Sequence, residues 1–370
     1  MNRIFATLIL LASFQSVAQE LKTENIIIVT LDGYRWREVF GGADKKIIFR
    51  DKYVRDTSVQ SRFWSNDLKE RRKMLMPFFW NVIGKQGQLY GNRNFDNGIS
   101  CANKTLYSYS GYSEMFVGFH DRRVNDNDPI PNPNYTVLEA LNKDPKYRGS
   151  VAAFSTWQTM PFILREEISK IPVNSGGDKA KGALTQKEKK LNRLTDHQKN
   201  PHGDRYDKFT FQYAMEYMKR EKPKVIFISF DETDEHGHGG RYDEYLKSAH
   251  QADSMINALW TWVQNDSQYK DKTTLIITTD HGRGKSAAGW KRHALLFSGS
   301  AQIWLAVLGP DTARTGEVKS FMRLKQKQIA QTIASLLEFP YTNVKPTGEP
   351  ITSIFNKNEF KEEDMASAGN

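Results

Sequence analysis

The chain has 370 residues, of which 39% are hydrophobic and 12% aromatic, enough to build a core, so disorder as the global state is excluded. A formal net charge of +10 suits a surface that attracts anions, whether small phosphates, nucleic acid or a membrane surface. The single cysteine, Cys101, rules out an intramolecular disulfide, so stability must come from packing.

In chain order, residues 1–18 come first. Met1, Asn2 and Arg3 precede the apolar stretch Ile4 to Phe14, and Ser16-Val17-Ala18 is a small-x-small cleavage pattern. This reads as a secretory signal peptide, which implies an exported, periplasmic or secreted protein. Ser13 and Gln15 interrupt the run too early for a membrane span, no later run reaches spanning length, and Gln19 stands where a lipid-accepting Cys would be.

Three β-branched runs end in acidic residues: Asn25 to Asp32, Val225 to Asp231 and Thr274 to Asp280. They read as buried strands of a largely parallel sheet, with Ser150 to Ser155 and Ile303 to Leu308 as weaker candidates. Helical patterns lie at Arg72 to Lys85, Thr210 to Arg220, Tyr242 to Gln264 and Leu324 to Leu337. The alternation predicts an α/β fold, a three-layer α/β/α sandwich. Ligands of such sheets collect beyond the carboxyl ends of the strands, where Asp32, Asp234 and Asp280 fall. Residues 174–204, rich in Lys, Gly and polar side chains, read as an insertion, and 360–370 as a flexible tail. The seven basic residues between Lys179 and Lys199 read as a solvated loop or exposed helix rather than a polyanion site.

Asp234-Glu-His-Gly-His238 puts a carboxylate and an imidazole four apart just after a strand, a borderline donor set suited to zinc, with His236 as an alternative to His238. Asp280-His281-Gly282 repeats the idea, and Gly282 and Gly284 would allow a sharp turn so that both side chains reach one ion. Leu31-Asp32-Gly33 supplies a third carboxylate. Three acidic strand ends would repel one another unless a divalent cation, or two, lay between them. The hydroxyl-rich segment Tyr107 to Glu114 precedes the apolar Met115-Phe116-Val117. A helix starting near Ser108 would aim its first N–H groups at the same pocket, where they can hold a phosphoryl oxygen.

With these motifs in order from Asn25 to about Pro310, the chain resembles the alkaline phosphatase superfamily, particularly its nucleotide pyrophosphatase and phosphodiesterase branch. The resemblance implies a single metallohydrolase domain over 19–359 and a two-metal hydrolase of phosphate esters working through a phosphoseryl intermediate. It implies two divalent ions, zinc or else manganese. One would be held by Asp32, Asp280 and His281 with the nucleophile oxygen, the other by Asp234, His238 and His293; the role of His293 rests on the resemblance alone. The family interval back from Gly118 makes Ser108 the nucleophile, with Thr105, Ser110 and Ser113 as rivals. The chain departs from the branch's Thr-x-Pro-Asn pattern, since Ser110 stands in place of Pro and Gly111 in place of Asn, which leaves mono- versus diester preference open.

A sulfatase shares the expected fold, but neither Cys101-Ala-Asn-Lys-Thr105 nor Ser108 to Tyr112 carries the sulfatase signature. A phosphate monoesterase or phosphotransferase on the same scaffold stays open, as does a non-catalytic polyanion binder, which would be marked by loss of a ligand. The expected partner is a small-molecule phosphate ester, nucleotides included, with no stable nucleic acid complex and no membrane span. Tyr107, Tyr109, Tyr112 and Trp157 are candidates for stacking on a base or sugar, or for core packing.

Overall fold

A computed structural model describes residues 21–198 and 205–356. The expected signal peptide, the flexible tail and the end of the expected insertion lie outside those residues. The strands are β1 (Asn25–Leu31), β2 (Gln88–Tyr90), β3 (Asn97–Ser100), β4 (Val151–Ser155), β5 (Val173–Ser175), β6 (Val225–Phe230), β7 (Thr273–Thr278), β8 (Gln302–Ile303), β9 (Leu305–Leu308), β10 (Gly316–Glu317) and β11 (Met322–Lys325).

Eight of them form one sheet in the order β10-β2-β9-β7-β1-β6-β4-β5. β1 pairs in parallel with both β6 and β7, and only β9 runs antiparallel to its neighbours. The expected α/β sandwich with a mostly parallel sheet is therefore what the chain adopts.

Each central strand is buried on both faces, which is why these runs read as continuously apolar. Alternation still sorts the side chains. Ile27, Val29 and Leu31 enter one core with Phe209, Tyr213 and Leu246, which come from the helices Asp207–Glu221 and Tyr242–Val263. Ile26 and Ile28 enter the other with Tyr112, Leu138 and Ile333, from the helices Ser108–Val117, Val137–Lys143 and Ile329–Leu336. Even-numbered positions of β1 and β7 thus face the Ser108–Val117 helix, and Asp32 and Asp280 continue that parity past the strand ends.

Three expected elements differ. Arg72 to Lys85 is not one helix: Leu68–Leu75 stops before Pro77, and a π-helical stretch follows at Phe79–Ile83. Proline cannot donate into a continuing helix, and Asp253 instead receives the N–H groups of Phe78 and Phe79. Ile303 to Leu308 splits at Trp304, giving β8 to a small three-stranded sheet with β3 and β11 and leaving β9 in the large one. Leu324 belongs to β11, so the last helix begins only at Ile329, after a 3₁₀ turn.

Within the basic segment, the helix Gln186–Thr195 is closed by a capping box between Thr185 and Glu188, with Lys187, Lys189 and Lys190 exposed. No helix among the described residues is long and apolar enough to cross a membrane.

Candidate active site

The carboxyl ends of β1, β6 and β7 deliver the acidic residues. Asp32 and Asp280 are buried one and two residues beyond their strands, and Asp234 sits in the first turn of the short helix Glu232–His238 after β6. Gly33 adopts φ +57, and a Cβ there would strike Asp234 and Arg283, so only glycine lets β1 turn away so close to the second carboxylate. Its N–H donates to Asp280 Oδ1 at 3.0 Å. Gly282 and Gly284 do not use positive φ. Their hydrogens face the carbonyls of Gln302 and Gly289, which a Cβ would strike, so close approach is what requires glycine there.

Around these carboxylates the imidazoles converge. His281 Nε2 lies 3.3 Å from Asp280 Oδ2, 3.6 Å from Asp32 Oδ1 and 4.0 Å from Asp234 Oδ1. Its Nδ1–H donates to the Gly282 carbonyl at 3.0 Å, which leaves the Nε2 lone pair facing the carboxylates. His293 is set the same way, with Nδ1–H on the Leu106 carbonyl at 2.7 Å and its ring stacked on His281 at 3.9 Å between centroids. His238 Nε2 reaches both His293 Nε2 and Asp234 Oδ2 at 3.0 Å. All six predicted ligands come together, although His293 lies on an irregular loop and Asp234 arrives from a separate strand.

Ser108 opens the Ser108–Val117 helix, as expected, with its Oγ 3.2 Å from His281 Nε2 and 3.5 Å from Asp32 Oδ1. The rival hydroxyls are engaged elsewhere: Thr105 and Ser110 with each other at 2.6 Å, and Ser113 with Asn132 at 3.0 Å. The Tyr109 N–H of the first turn is taken by Asn127 Oδ1, which leaves less of that helix end for a phosphoryl oxygen. Gly111 packs against the Asp280 carbonyl so closely that a Cβ would sit 2.4 Å from it. An Asn at this position would therefore collide with β7's end rather than reach a substrate.

Burial shapes the charges. The Asp32 carboxyl is pushed well above the usual range by burial and then by Asp280 and Asp231, and Asp280 is raised by burial as well. His281 is pushed down to about 3 by burial, and His293 and His238 are also lowered by burial. The imidazoles are thus neutral donors at neutral pH, while the carboxylates are short of positive charge. Asp280 Oδ2 is buried without any hydrogen-bond donor. Asp32, Asp280 and His281 have ligand atoms within 4.8 Å of one another, as do Asp234, His281 and His293. Oxygen and imidazole donors so placed, with an orphaned carboxylate oxygen among them, fit divalent cations.

Several supporting residues escaped the sequence reading. Arg283 is buried and ion-paired with Asp234 while its other N–H groups hold the carbonyls of Trp290 and Lys291, on the way to His293. Its place in Asp280-His-Gly-Arg283 was visible, but nothing in the sequence named its partner. The Tyr112 hydroxyl donates to Asp32 Oδ2, and Gln326 donates to the Asp280 carbonyl at 2.6 Å. Of the candidate stacking rings, Tyr109 and Tyr112 are buried in the core, and Tyr107 is exposed edge-on to His293.

Residues 46–294 match the family described as type I phosphodiesterase / nucleotide pyrophosphatase, a span that begins beyond Asp32 and closes just after His293. The chain belongs to this family. A curated relative, the 2,3-bisphosphoglycerate-independent phosphoglycerate mutase of Malacoplasma penetrans (strain HF-2), is 24% identical over 279 residues, 62% of this chain. The chain spans about half the length of that relative, 52%. Among solved structures, a multiply substituted form of the alkaline phosphatase PafA aligns with TM-score 0.60 and 10% identity, over 91% of this chain and 99% of that one. Murine ectonucleotide pyrophosphatase / phosphodiesterase 5 aligns with TM-score 0.54 and 9% identity, over 90% and 100%. At such identities these two likenesses speak for the fold alone.

Proposed function

We propose that this family member is an exported two-metal phosphodiesterase or nucleotide pyrophosphatase with Ser108 as its nucleophile. The observation that carries the reading is the Ser108 hydroxyl, 3.2 Å from His281 and 3.5 Å from Asp32, two members of the six-residue donor set. Asp32, Asp280 and His281 would hold one divalent ion beside Ser108, and Asp234, His238 and His293 the other; zinc suits the donors best. Two such ions supply positive charge that lowers the pKa of a nearby hydroxyl and offsets the charge of a phosphoryl group in its transition state.

Within that frame the chain does the following. The Ser108 Oγ–phosphorus bond forms in line as one ester oxygen departs with its electron pair and takes up a proton in place of the one Ser108 gives up, and water then displaces Ser108, returning a proton to its oxygen and releasing the remaining phosphate monoester. Tyr112 keeps Asp32 oriented, and Arg283 keeps Asp234 in place. A monoesterase or phosphotransferase would share the first half of this chemistry. Transfer to an acceptor alcohol is the second reading, favoured by the similarity to a phosphoglycerate mutase.

The test is hydrolysis by the purified chain, loaded with zinc or manganese, of aryl phosphate monoesters, diesters and sulfates. Cleavage of a phosphate ester is expected, lost on chelation and reduced ~10³-fold or more in Ser108→Ala. Equal activity of Ser108→Ala, or cleavage of the sulfate alone, would overturn the proposal.

A further inference from the structure

A cavity of about 610 Å³, with Arg37, Asp44 and Lys285 in its wall, shares no residue with the candidate active site and is not used by the proposed chemistry. Its wall carries Arg37, Lys45, Lys46, Arg71 and Lys285 against a single carboxylate, Asp44. That carboxylate is already engaged, receiving the Lys46 N–H at 2.8 Å and facing the buried Arg35 at 3.8 Å. None of the five cations forms a salt bridge within the described residues.

Arg71 spends its guanidinium on the carbonyls of Gly41 and Ser65. The Nε of Arg37 is buried and has no hydrogen-bond partner, and its guanidinium rests only over the Trp36 ring, 5.4 Å from the centroid. A buried donor without a partner is costly to leave desolvated, and like charges in a concave wall focus a positive potential into the space between them.

We propose that this cavity is an anion-binding subsite that takes a phosphate-bearing group. Guanidinium plus ammonium donors around an open volume match the several acceptor oxygens of a phosphate. The volume lies in the range of pockets that hold ligands of nucleotide or sugar-phosphate size. Two chain segments tie it to the candidate active site. Lys285 follows His281 by four residues and Arg37 follows Asp32 by five, so their Cα atoms lie within about 14 Å and 18 Å of those residues. In this proposal a ligand with a second phosphate places one group at Ser108 and the other here, or a free phosphate occupies the same wall.

Calorimetric titration of inorganic phosphate into the full-length chain, metal-loaded and in parallel chelator-treated, tests the subsite. The chelator-treated chain should still bind one phosphate, with affinity that falls as salt rises. Arg37→Ala/Lys285→Ala should weaken that binding about tenfold or more, while turnover of bis(4-nitrophenyl) phosphate, which has no remote anion, stays unchanged. Lys46→Ala/Lys285→Ala, confined to exposed side chains, gives a second variant that keeps the fold and should weaken binding by a smaller factor.

The source of the anion follows from KM. If KM for a substrate with two phosphates rises in the first variant with kcat retained, the second group is the substrate's own. If only phosphate binding is lost, the ligand is free phosphate. Absence of phosphate binding to the chelator-treated wild type, or equal binding by both variants, overturns the subsite. Because that readout needs neither metal nor turnover, it is independent of whether Ser108 is the nucleophile.

Discussion

Asp32 divides its two oxygens between two tasks. Oδ2 receives the Tyr112 hydroxyl at 3.0 Å, while Oδ1 faces Ser108 and His281. Tyr112 is in turn held 2.9 Å from Ser229 on β6, and its ring packs on Phe227. Tyr112→Phe keeps that packing and deletes the donor, so Asp32 loses the group that sets its rotamer. Groups that orient ligands are worth roughly 10–100-fold in metal affinity or activity. A drop of that size in zinc affinity, measured by competition with a chromogenic chelator, and in kcat/KM is expected. Unchanged values in both would remove Tyr112 from the positioning role. At this scale the acidic ligands were readable because each closes a buried apolar run, which leaves a carboxylate in need of a cation. Arg283 was not, because a basic residue after a glycine is ordinarily solvated and its partner, Asp234, is 49 residues away.

The long helix Tyr242–Val263 illustrates the next level. From its inward face Asp253 reaches across to close the broken segment after Pro77, accepting from Phe78 at 2.8 Å and Phe79 at 2.9 Å. Burial pushes the Asp253 carboxyl up to about 7, well above its ordinary value of 3.8. A raised folded pKa means that the native state holds the proton more tightly. The contribution of Asp253 to stability is then complete below about pH 4 and is lost as pH rises toward 7. The carboxamide introduced by Asp253→Asn does not titrate. The stability of wild type relative to Asp253→Asn, from denaturant unfolding of metal-stripped protein, should fall between about pH 4 and pH 7 and level off above. A flat difference across that range would show that Asp253 is not perturbed. The same helix was visible in the sequence through its apolar periodicity over 22 residues, whereas the break at Met76-Pro77 was hidden inside a pattern that remains helical on either side. Trp304 likewise sits between two short strands that belong to different sheets, since β8 pairs with β3 about 200 residues away while β9 pairs with β2 and β7.

Over the whole molecule, the sheet gathers acidic groups at the carboxyl ends of its central strands and the fold must tolerate them. Asp32, Asp280 and Asp234 are buried or nearly so, and the histidines beside them are neutral. Cations that bind only the native arrangement stabilise it by mass action, about 2.7 kcal/mol per site at a hundredfold excess over Kd. Chelation should therefore lower Tm by several degrees, and added zinc should restore it; a Tm unmoved after confirmed metal loss would contradict the paired-cation reading. The sandwich itself was legible because strand and helix periods alternate over most of the chain. The short strands β2, β3, β10 and β11 were not, because runs of two to four residues carry too little pattern to stand apart from loops.

The parity of β1 has an evolutionary and engineering corollary. Asp32 reaches the Ser108 side of the sheet because it shares a face with Ile26, Ile28 and Thr30, a face fixed by pairing on both flanks with β6 and β7. A single codon inserted or deleted between Ile26 and Asp32 would turn the carboxylate to the opposite layer, while a two-codon change would keep its side but shift it by about 6.6 Å along the strand. Length variation in homologues and in designed libraries should therefore be absent from this stretch and tolerated in the exposed residues 181–183.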